Sequence, residues 1–270
     1  SVKPGIGNNT LEWQSLDHKG GTWFEAKISI PDLTVIKSTD DGVGDRLERI
    51  LKEAQKLIKG EFTESLNLTT RLEFPRKWGL GTSSTLIASI ATWLKIDPYE
   101  LLWKSFGGSG YDLACALNDH PVLYQVQEGR PVVTQSNFNP SFKDQLYFTY
   151  LGKKQNSREG IERYRAQGKV EYSTLSEVSK LTEAFVSARQ LIDFEQAMKI
   201  HEDLVSKQLG LEKAKDIHFK NYPGEIKSLG AWGGDFVLAT SPMNEKETKA
   251  WFNTNGFNTV FRFDELVAGF

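Results

Sequence analysis

Three glycine-rich runs hold the residues best placed to do chemistry. The first is Pro75-Arg-Lys-Trp-Gly79-Leu-Gly81-Thr82-Ser83-Ser84. Glycines accept positive φ and let a backbone approach an anion closely. A helix that opens on them offers unpaired N–H groups and the positive end of its dipole. The hydroxyls can donate to a phosphate oxygen or ligate Mg2+. Two readings stand side by side: a phosphate seat, or a loop with a capped helix behind it. No Gly-Lys-Ser/Thr closes the run, so it is not a Walker A loop, and it does not match the dinucleotide fingerprint. The second run, Gly107-Gly108-Ser109-Gly110-Tyr111-Asp112, sets one acid at the end of a tight turn. Such a carboxylate can meet a substrate hydroxyl, or it can cap a helix or close an Asx turn. The third run, Gly230-Ala231-Trp232-Gly233-Gly234-Asp235, lies between strand-like segments, and its plain reading is a hairpin turn. Trp232 can stack on a ligand or simply pack.

The elements that must position these runs are legible from periodicity. Residues 11 to 37 alternate apolar and polar, which predicts antiparallel strands with turns at His18 to Gly21 and at Pro31-Asp32. Asp45 is expected to open a helix with Leu47, Ile50, Leu51, Ala54, Leu57 and Ile58 inward, closed by Gly60. A strand spans 66 to 74. The first glycine run then leads into a helix with Leu86, Ile87, Ile90, Ala91 and Leu94 inward. Asp97-Pro98-Tyr99-Glu100 reads as an N-cap, a proline at the first helical position and a capping-box acid. After the second run comes a strand near 121 to 126. Beyond residue 145 the pattern predicts a strand, a polar basic stretch, helices near 173–190 and 193–208, two short strands, a helix at 245–254 and a strand at 259–263. Two α+β halves joined near residues 140 to 146 is the coarse architecture.

Composition narrows the function classes. Of 270 residues, 39% are hydrophobic and 25% charged, ordinary for a globular chain, and the net charge of −2 leaves no footprint for nucleic acid or an anionic membrane. No apolar run approaches the roughly 20 residues that span a bilayer. The single cysteine, Cys115, excludes an intramolecular disulfide. With no histidine locally placed to activate it, Cys115 reads as a core residue. His18, His120, His201 and His218 show no metal-ligand spacing.

Taken together and in this order, the three runs resemble the signature of the GHMP kinases, the family of galactokinase, homoserine kinase, mevalonate kinase and phosphomevalonate kinase. The first resembles its Pro-x3-Gly-Leu-Gly-Ser-Ser motif, with Thr82 at the first serine and Ser83 at the second. GSGYDLA is similar to the Gly-Ser-Gly-x-Asp-x-Ala of phosphomevalonate kinases and looks closest to a bacterial subgroup named for a Gly-Tyr-Asp-Ile-Ala motif. The stretch from Lys227 to Asp235 resembles the third family motif, and Thr149 to Ser157 looks like the Thr-Gly-x-x-Ala-Ser-Thr segment after the domain junction. The resemblance spans essentially the whole chain.

The resemblance implies an α+β, two-domain GHMP kinase fold. Residues 1–143 would form a ribosomal protein S5 domain 2-like, ATP-binding half lacking its first strands, and residues 144–270 a ferredoxin-like half. It implies that Gly79, Leu80, Gly81, Thr82, Ser83 and Ser84 hold ATP phosphates, with Ser83 as the Mg2+ ligand. Asp112 would take or orient the acceptor's proton. Ser109, Gly110, Gly230, Ala231, Gly233 and Gly234 would line the acceptor side. Lys104, Lys153, Lys154 and Arg158 are candidate cations for an anionic acceptor, each of which also reads as solvated surface charge. Glu100, the nearest acid before Asp112, is better explained by the capping box. Nothing in residues 1 to 30 resembles the family's N-terminal Lys-x-Leu-x-x-Gly-Glu-like motif, so the chain is either a fragment or has lost it. The implied activity is phosphoryl transfer from ATP to phosphomevalonate or mevalonate, by a cytoplasmic monomer or homodimer with a small-molecule substrate and neither nucleic-acid nor membrane partner. The rivals are a sugar or homoserine-type kinase of the same family, and a catalytically silent ligand-binding relative.

Overall fold

The computed structural model describes residues 1–6, 9–58, 60–155, 157–168, 170–232 and 234–267, leaving aside the side chains of Ser157 and Arg158. Two compact units divide the chain: Ser1–Arg76 with Leu80–Gln135, and Lys77–Gly79 with Ser136–Phe270.

In the first unit, β1 (Val2–Pro4), β2 (Thr10–Leu16), β3 (Thr22–Ser29), β4 (Val35–Ser38) and β5 (Leu66–Arg71) form one sheet in the order β1-β5-β2-β3-β4. Alternation along β2 and β3 turns Leu11, Trp13, Phe24, Ala26 and Ile28 to one buried face. Asp17 shapes the β2–β3 turn, accepting from the N–H groups of Lys19 and Gly21 at 2.8 and 2.9 Å. These backbone donors hold its carboxyl below the usual carboxylate range. β2, β3 and β4 pair antiparallel, as the alternation over 11 to 37 predicts, whereas β5 pairs with β2 in parallel, because α1 (Asp41–Ile58) carries the chain back across the sheet between β4 and β5. α1 starts four residues before Asp45. Asp40 opens it, its carboxylate accepting from the Val43 N–H at 3.0 Å, and Gly42 and Gly44 in the first turn mask that start in the sequence.

Leu47, Ile50, Leu51 and Ala54 of α1 meet Ile87, Ala88, Ile90 and Ala91 of α2 (Thr82–Leu94) in one core. α3 (Pro98–Ser105) adds Leu101 and Leu102, and α4 (Tyr111–Ala116) adds Leu113. A separate hairpin of β6 (Val122–Gln127) and β7 (Arg130–Gln135) completes the unit. Its two-residue turn puts Glu128 at φ 50° and Gly129 at φ 77°, the left-handed pair that a tight hairpin requires.

The second unit is built on an antiparallel sheet of β8 (Leu146–Tyr150), β9 (Ile226–Ser228), β10 (Phe236–Thr240) and β11 (Val260–Arg262), ordered β11-β8-β10-β9. Every residue of β10 is buried. Val237 and Ala239 pack with Phe252 of α9 (Glu245–Thr254), Phe219 and Tyr222. Leu238, on the opposite face, packs with Phe194 and Met198 of α7 (Leu191–Leu209). α9 starts on a capping box in which Asn244 accepts from the Glu247 N–H at 3.0 Å and Glu247 accepts from the Asn244 N–H at 3.3 Å. α5 (Ser157–Ala166) runs through the stretch that reads only as polar and basic, because few apolar residues mark it. α6 (Tyr172–Ser187), α8 (Ala214–His218) and α10 (Phe263–Leu266) complete the unit.

Candidate functional site

The first glycine run contributes to both units, Lys77–Gly79 to the second and Leu80 onward to the first. Gly79 and Gly81 both sit at φ 73°. Gly81 is the N-cap of α2 and, as a glycine, makes no side-chain capping bond. The N–H groups of such a first turn have no intrahelical partner, and they carry the positive end of the helix dipole. Ser83 is exposed in this first turn and Ser84 is buried. Thr85 turns its hydroxyl inward, donating to the Thr82 carbonyl at 3.0 Å.

Trp78 anchors the segment before Gly79. Its ring centroid lies 5.3 Å from that of Phe261, 5.7 Å from Phe236 and 6.3 Å from Tyr150, so it covers β8, β10 and β11 at once. The Tyr150 hydroxyl donates to the Lys77 carbonyl at 2.9 Å. Within the first unit, the Arg76 guanidinium lies 4.4 Å above the ring of Trp23.

The second run is a string of left-handed glycines, with Gly107, Gly108 and Gly110 at φ 73°, 103° and 90°. The Tyr124 hydroxyl donates to the Ser109 carbonyl at 2.5 Å. Gly110, not Asp112, is the N-cap of α4, which leaves Asp112 in the first helical turn with its side chain exposed. Cys115 is also exposed, correcting its assignment to the core: α4 turns Leu113 and Ala114 inward and Cys115 outward. Desolvation, and then the Asp112 carboxylate, push the thiol's pKa up, away from a reactive thiolate.

The third run does close a hairpin, between β9 and β10. Gly230, Trp232 and Asp235 take φ of 62°, 58° and 57°, and Trp232 is packed inside with only 5% of its surface exposed. Gly233 lies outside the described residues. The loop packs against the 151–155 segment: the Asp235 N–H donates to the Lys153 carbonyl at 2.7 Å, and the Leu151 N–H donates to the Asp235 carbonyl at 2.8 Å. The second unit thus brings Gly79, Gly230, Ala231, Gly234, Lys153 and Lys154 onto a few neighbouring segments. A Cβ at Gly160 of α5 would come within 3.0 Å of the Ala231 Cβ, which places α5 against the same loop. Lys153 and Lys154 are exposed. Lys104 lies instead on α3, where it pairs with Glu100 one turn away at 2.7 Å. Glu100 therefore spends its carboxylate on Lys104 and not on a capping box, while Asp97 caps α3 alone, accepting from the Tyr99 and Glu100 N–H groups. Arg158 falls in α5 and its side chain lies outside the described residues.

Asp235 is the site residue that sequence reasoning passed over. It ends a Gly-Gly-Asp stretch that reads as turn chemistry, and nothing in a turn pattern announces a buried carboxylate. Burial pushes its pKa up, opposed by the Gln155 N–H and the Lys154 charge.

No family model matches the sequence, and no curated protein sequence matches it. Solved structures do. The mevalonate kinase of Methanococcus jannaschii aligns over 96% of this chain and 86% of its own, at TM-score 0.65 and 15% identity. The phosphomevalonate kinase of Streptococcus pneumoniae, in complex with phosphomevalonate and AMPPNP, aligns over 97% and 89% at TM-score 0.64 and 14% identity. The galactokinase of Lactococcus lactis, complexed with galactose, aligns over 94% and 79% at TM-score 0.62 and 12% identity. The chain has the GHMP kinase fold.

In this GHMP-fold chain, no group of three or more His, Cys, Asp or Glu residues among those described is arranged to hold a metal by itself. A nucleotide-borne Mg2+ takes most of its ligands from phosphates and waters and needs only one or two protein oxygens. The exposed Ser83 hydroxyl beside a glycine-capped helix start fits such a role. No helix among the described residues is long and apolar enough to cross a membrane.

Proposed function

We propose that this chain is an ATP- and Mg2+-dependent small-molecule kinase acting in the cytoplasm on an acceptor of the mevalonate pathway, phosphomevalonate or mevalonate. The observation that carries the reading is the start of α2: two left-handed glycines, Gly79 and Gly81, lead into a helix with no side-chain cap and an exposed Ser83. Such a terminus is suited to an anion, and phosphoryl transfer asks chiefly for positioning and charge stabilisation. Gly79 to Ser84 bind the ATP phosphates. Ser83 ligates Mg2+, which when bound offsets the phosphate charge. Asp112, presented at the head of α4 by the Gly107–Gly110 turn, accepts or orients the acceptor's hydroxyl proton. Ser109, Gly110, Gly230, Ala231, Gly233 and Gly234 shape the acceptor side. Lys153 and Lys154, exposed beside the third loop, supply positive charge for an anionic acceptor, with Arg158 following in the same segment; Lys104, held by Glu100, contributes less. Residues 1–143 serve as the ATP-binding domain and 144–270 as its partner domain.

The test is a coupled ADP-release assay with Mg-ATP and phosphomevalonate, mevalonate, galactose and homoserine in parallel. Turnover with one acceptor, lost in Asp112→Asn, supports both the reaction and the base. Turnover with galactose or homoserine moves the reading to those branches of the fold. ATP binding without turnover on any acceptor points to a silent ligand-binding protein.

A further inference from the structure

The geometry points to Asp235 as a positioning residue that seats Gly79 and through it the start of the nucleotide loop; this rests on the reading of that loop given above. Three hydrogen bonds tie Asp235 to one short segment. Its Oδ1 accepts from the Gln155 N–H at 3.0 Å, its own N–H reaches the Lys153 carbonyl at 2.7 Å, and its carbonyl takes the Leu151 N–H at 2.8 Å. The residue is 9% exposed and holds φ 57°, a conformation that a non-glycine residue keeps only when its surroundings enforce it.

Its carboxylate lies directly against Gly79. A Cβ built at Gly79 would overlap Asp235 Oδ1, and one at Gly230 would lie 3.6 Å from Oδ2. By contrast, a Cβ at Gly81 would meet nothing within 4 Å. Gly81 answers only to its backbone angle, whereas Gly79 answers to its angle and to Asp235. The neighbours repeat the match: Trp78 packs on Phe236 with ring centroids 5.7 Å apart, so Trp78-Gly79 runs along Asp235-Phe236. With Trp78 held by aromatic rings and Gly79 by a fixed carboxylate, the residue from which the loop departs for α2 has one available position. The role is one of shape and of accepting the Gln155 N–H, both of which an asparagine retains.

The test uses the whole chain, a fluorescent N-methylanthraniloyl ATP as probe, and the variants Asp235→Asn, Asp235→Ala and Gly79→Ala. Asp235→Ala is expected to weaken probe binding by ~10-fold or more, and Asp235→Asn by less than ~3-fold, with melting temperatures of both near that of the wild type. KM for ATP rises in Asp235→Ala by more than kcat falls. Equal binding by Asp235→Ala and wild type, equal losses in Asn and Ala, or a loss that only tracks melting would each overturn the proposal. A second arm needs no nucleotide. Gly79→Ala is expected to lower the melting temperature less in the Asp235→Ala background than alone, because the overlapping carboxylate is gone. An unchanged drop would overturn the seating of Gly79. If the wild type binds no probe, the nucleotide reading fails, and the cycle still decides the seating.

Discussion

The phenolic hydroxyl of Tyr124 on β6 donates to the carbonyl oxygen of Ser109 at 2.5 Å, three residues before Asp112. A bond from a strand thus pins the glycine turn that presents the proposed base. Removing it with Tyr124→Phe keeps the ring and leaves the carbonyl without its donor. The expected loss is about 1 kcal/mol, read from urea unfolding. In the proposed kinase reaction kcat should fall while KM for ATP stays unchanged, because the proposed phosphate-binding loop is untouched.

Gly110 and Gly81 are both N-caps in the left-handed region, yet they should respond differently to alanine. At Gly81 the added methyl meets open space, so Gly81→Ala costs about 1 kcal/mol, from the backbone angle alone. At Gly110 the methyl comes within 2.8 Å of the Tyr124 hydroxyl and 3.3 Å of the Tyr99 ring. Gly110→Ala should therefore cost clearly more, and Tyr124→Phe in the same chain should return part of the difference. Equal costs at the two glycines, measured by denaturant unfolding, would contradict the packing described.

Trp78, itself part of the second unit, packs on that unit's sheet. Trp78→Ala strips the ring from Tyr150, Phe236 and Phe261 together. The expected cost is about 3 kcal/mol, the low end for a tryptophan because the side chain is only half-buried. Near-UV circular dichroism should lose aromatic signal, and nucleotide binding should weaken beyond what the stability loss explains.

His201 on α7 carries a pH dependence. Burial, and then the charge of Lys227, pull its pKa from 6.5 down to about 4. Between these values the unfolded chain binds more protons, so the contribution of His201 is fully present above pH 6.5 and is lost as the pH falls towards 4, about 3 kcal/mol in all. Glu202 beside it, raised by burial, works the other way, since its folded form holds a proton longer as the pH rises. Lys227 reaches within 4.0 Å of Glu202, and Ser228 donates to its other oxygen at 2.9 Å. Unfolding free energies at pH 7, 6, 5 and 4.5 should show His201→Gln losing less stability to acid than the wild type. Parallel curves would sink the assignment.

Much of the fold was legible because local rules and packing agreed. Asp97-Pro98 predicted the start of α3, and the helix expected over 245–254 is α9. The alternation of β2 and β3 reported a half-buried sheet. Other elements escaped where that agreement lapses. Glycines at 42 and 44 hid the first turn of α1, and α5 carries too little apolar periodicity to declare itself. Glu100 obeys the spacing of a capping box but places its carboxylate on Lys104, one turn along the helix.

The residue types and order of the three glycine runs, the left-handed angles they permit, the helices the first two open and the hairpin the third closes are properties of the chain as written, because each depends on a few neighbouring residues. Asp235 buried against Gly79, Trp78 laid across three strands and Tyr124 bonded to Ser109 are decisions of the tertiary structure. Each joins residues at least 15 positions apart, the separation of Tyr124 from Ser109. No local propensity encodes such a meeting. It follows only when the sheets and helices have packed and each buried polar group has to find its partner.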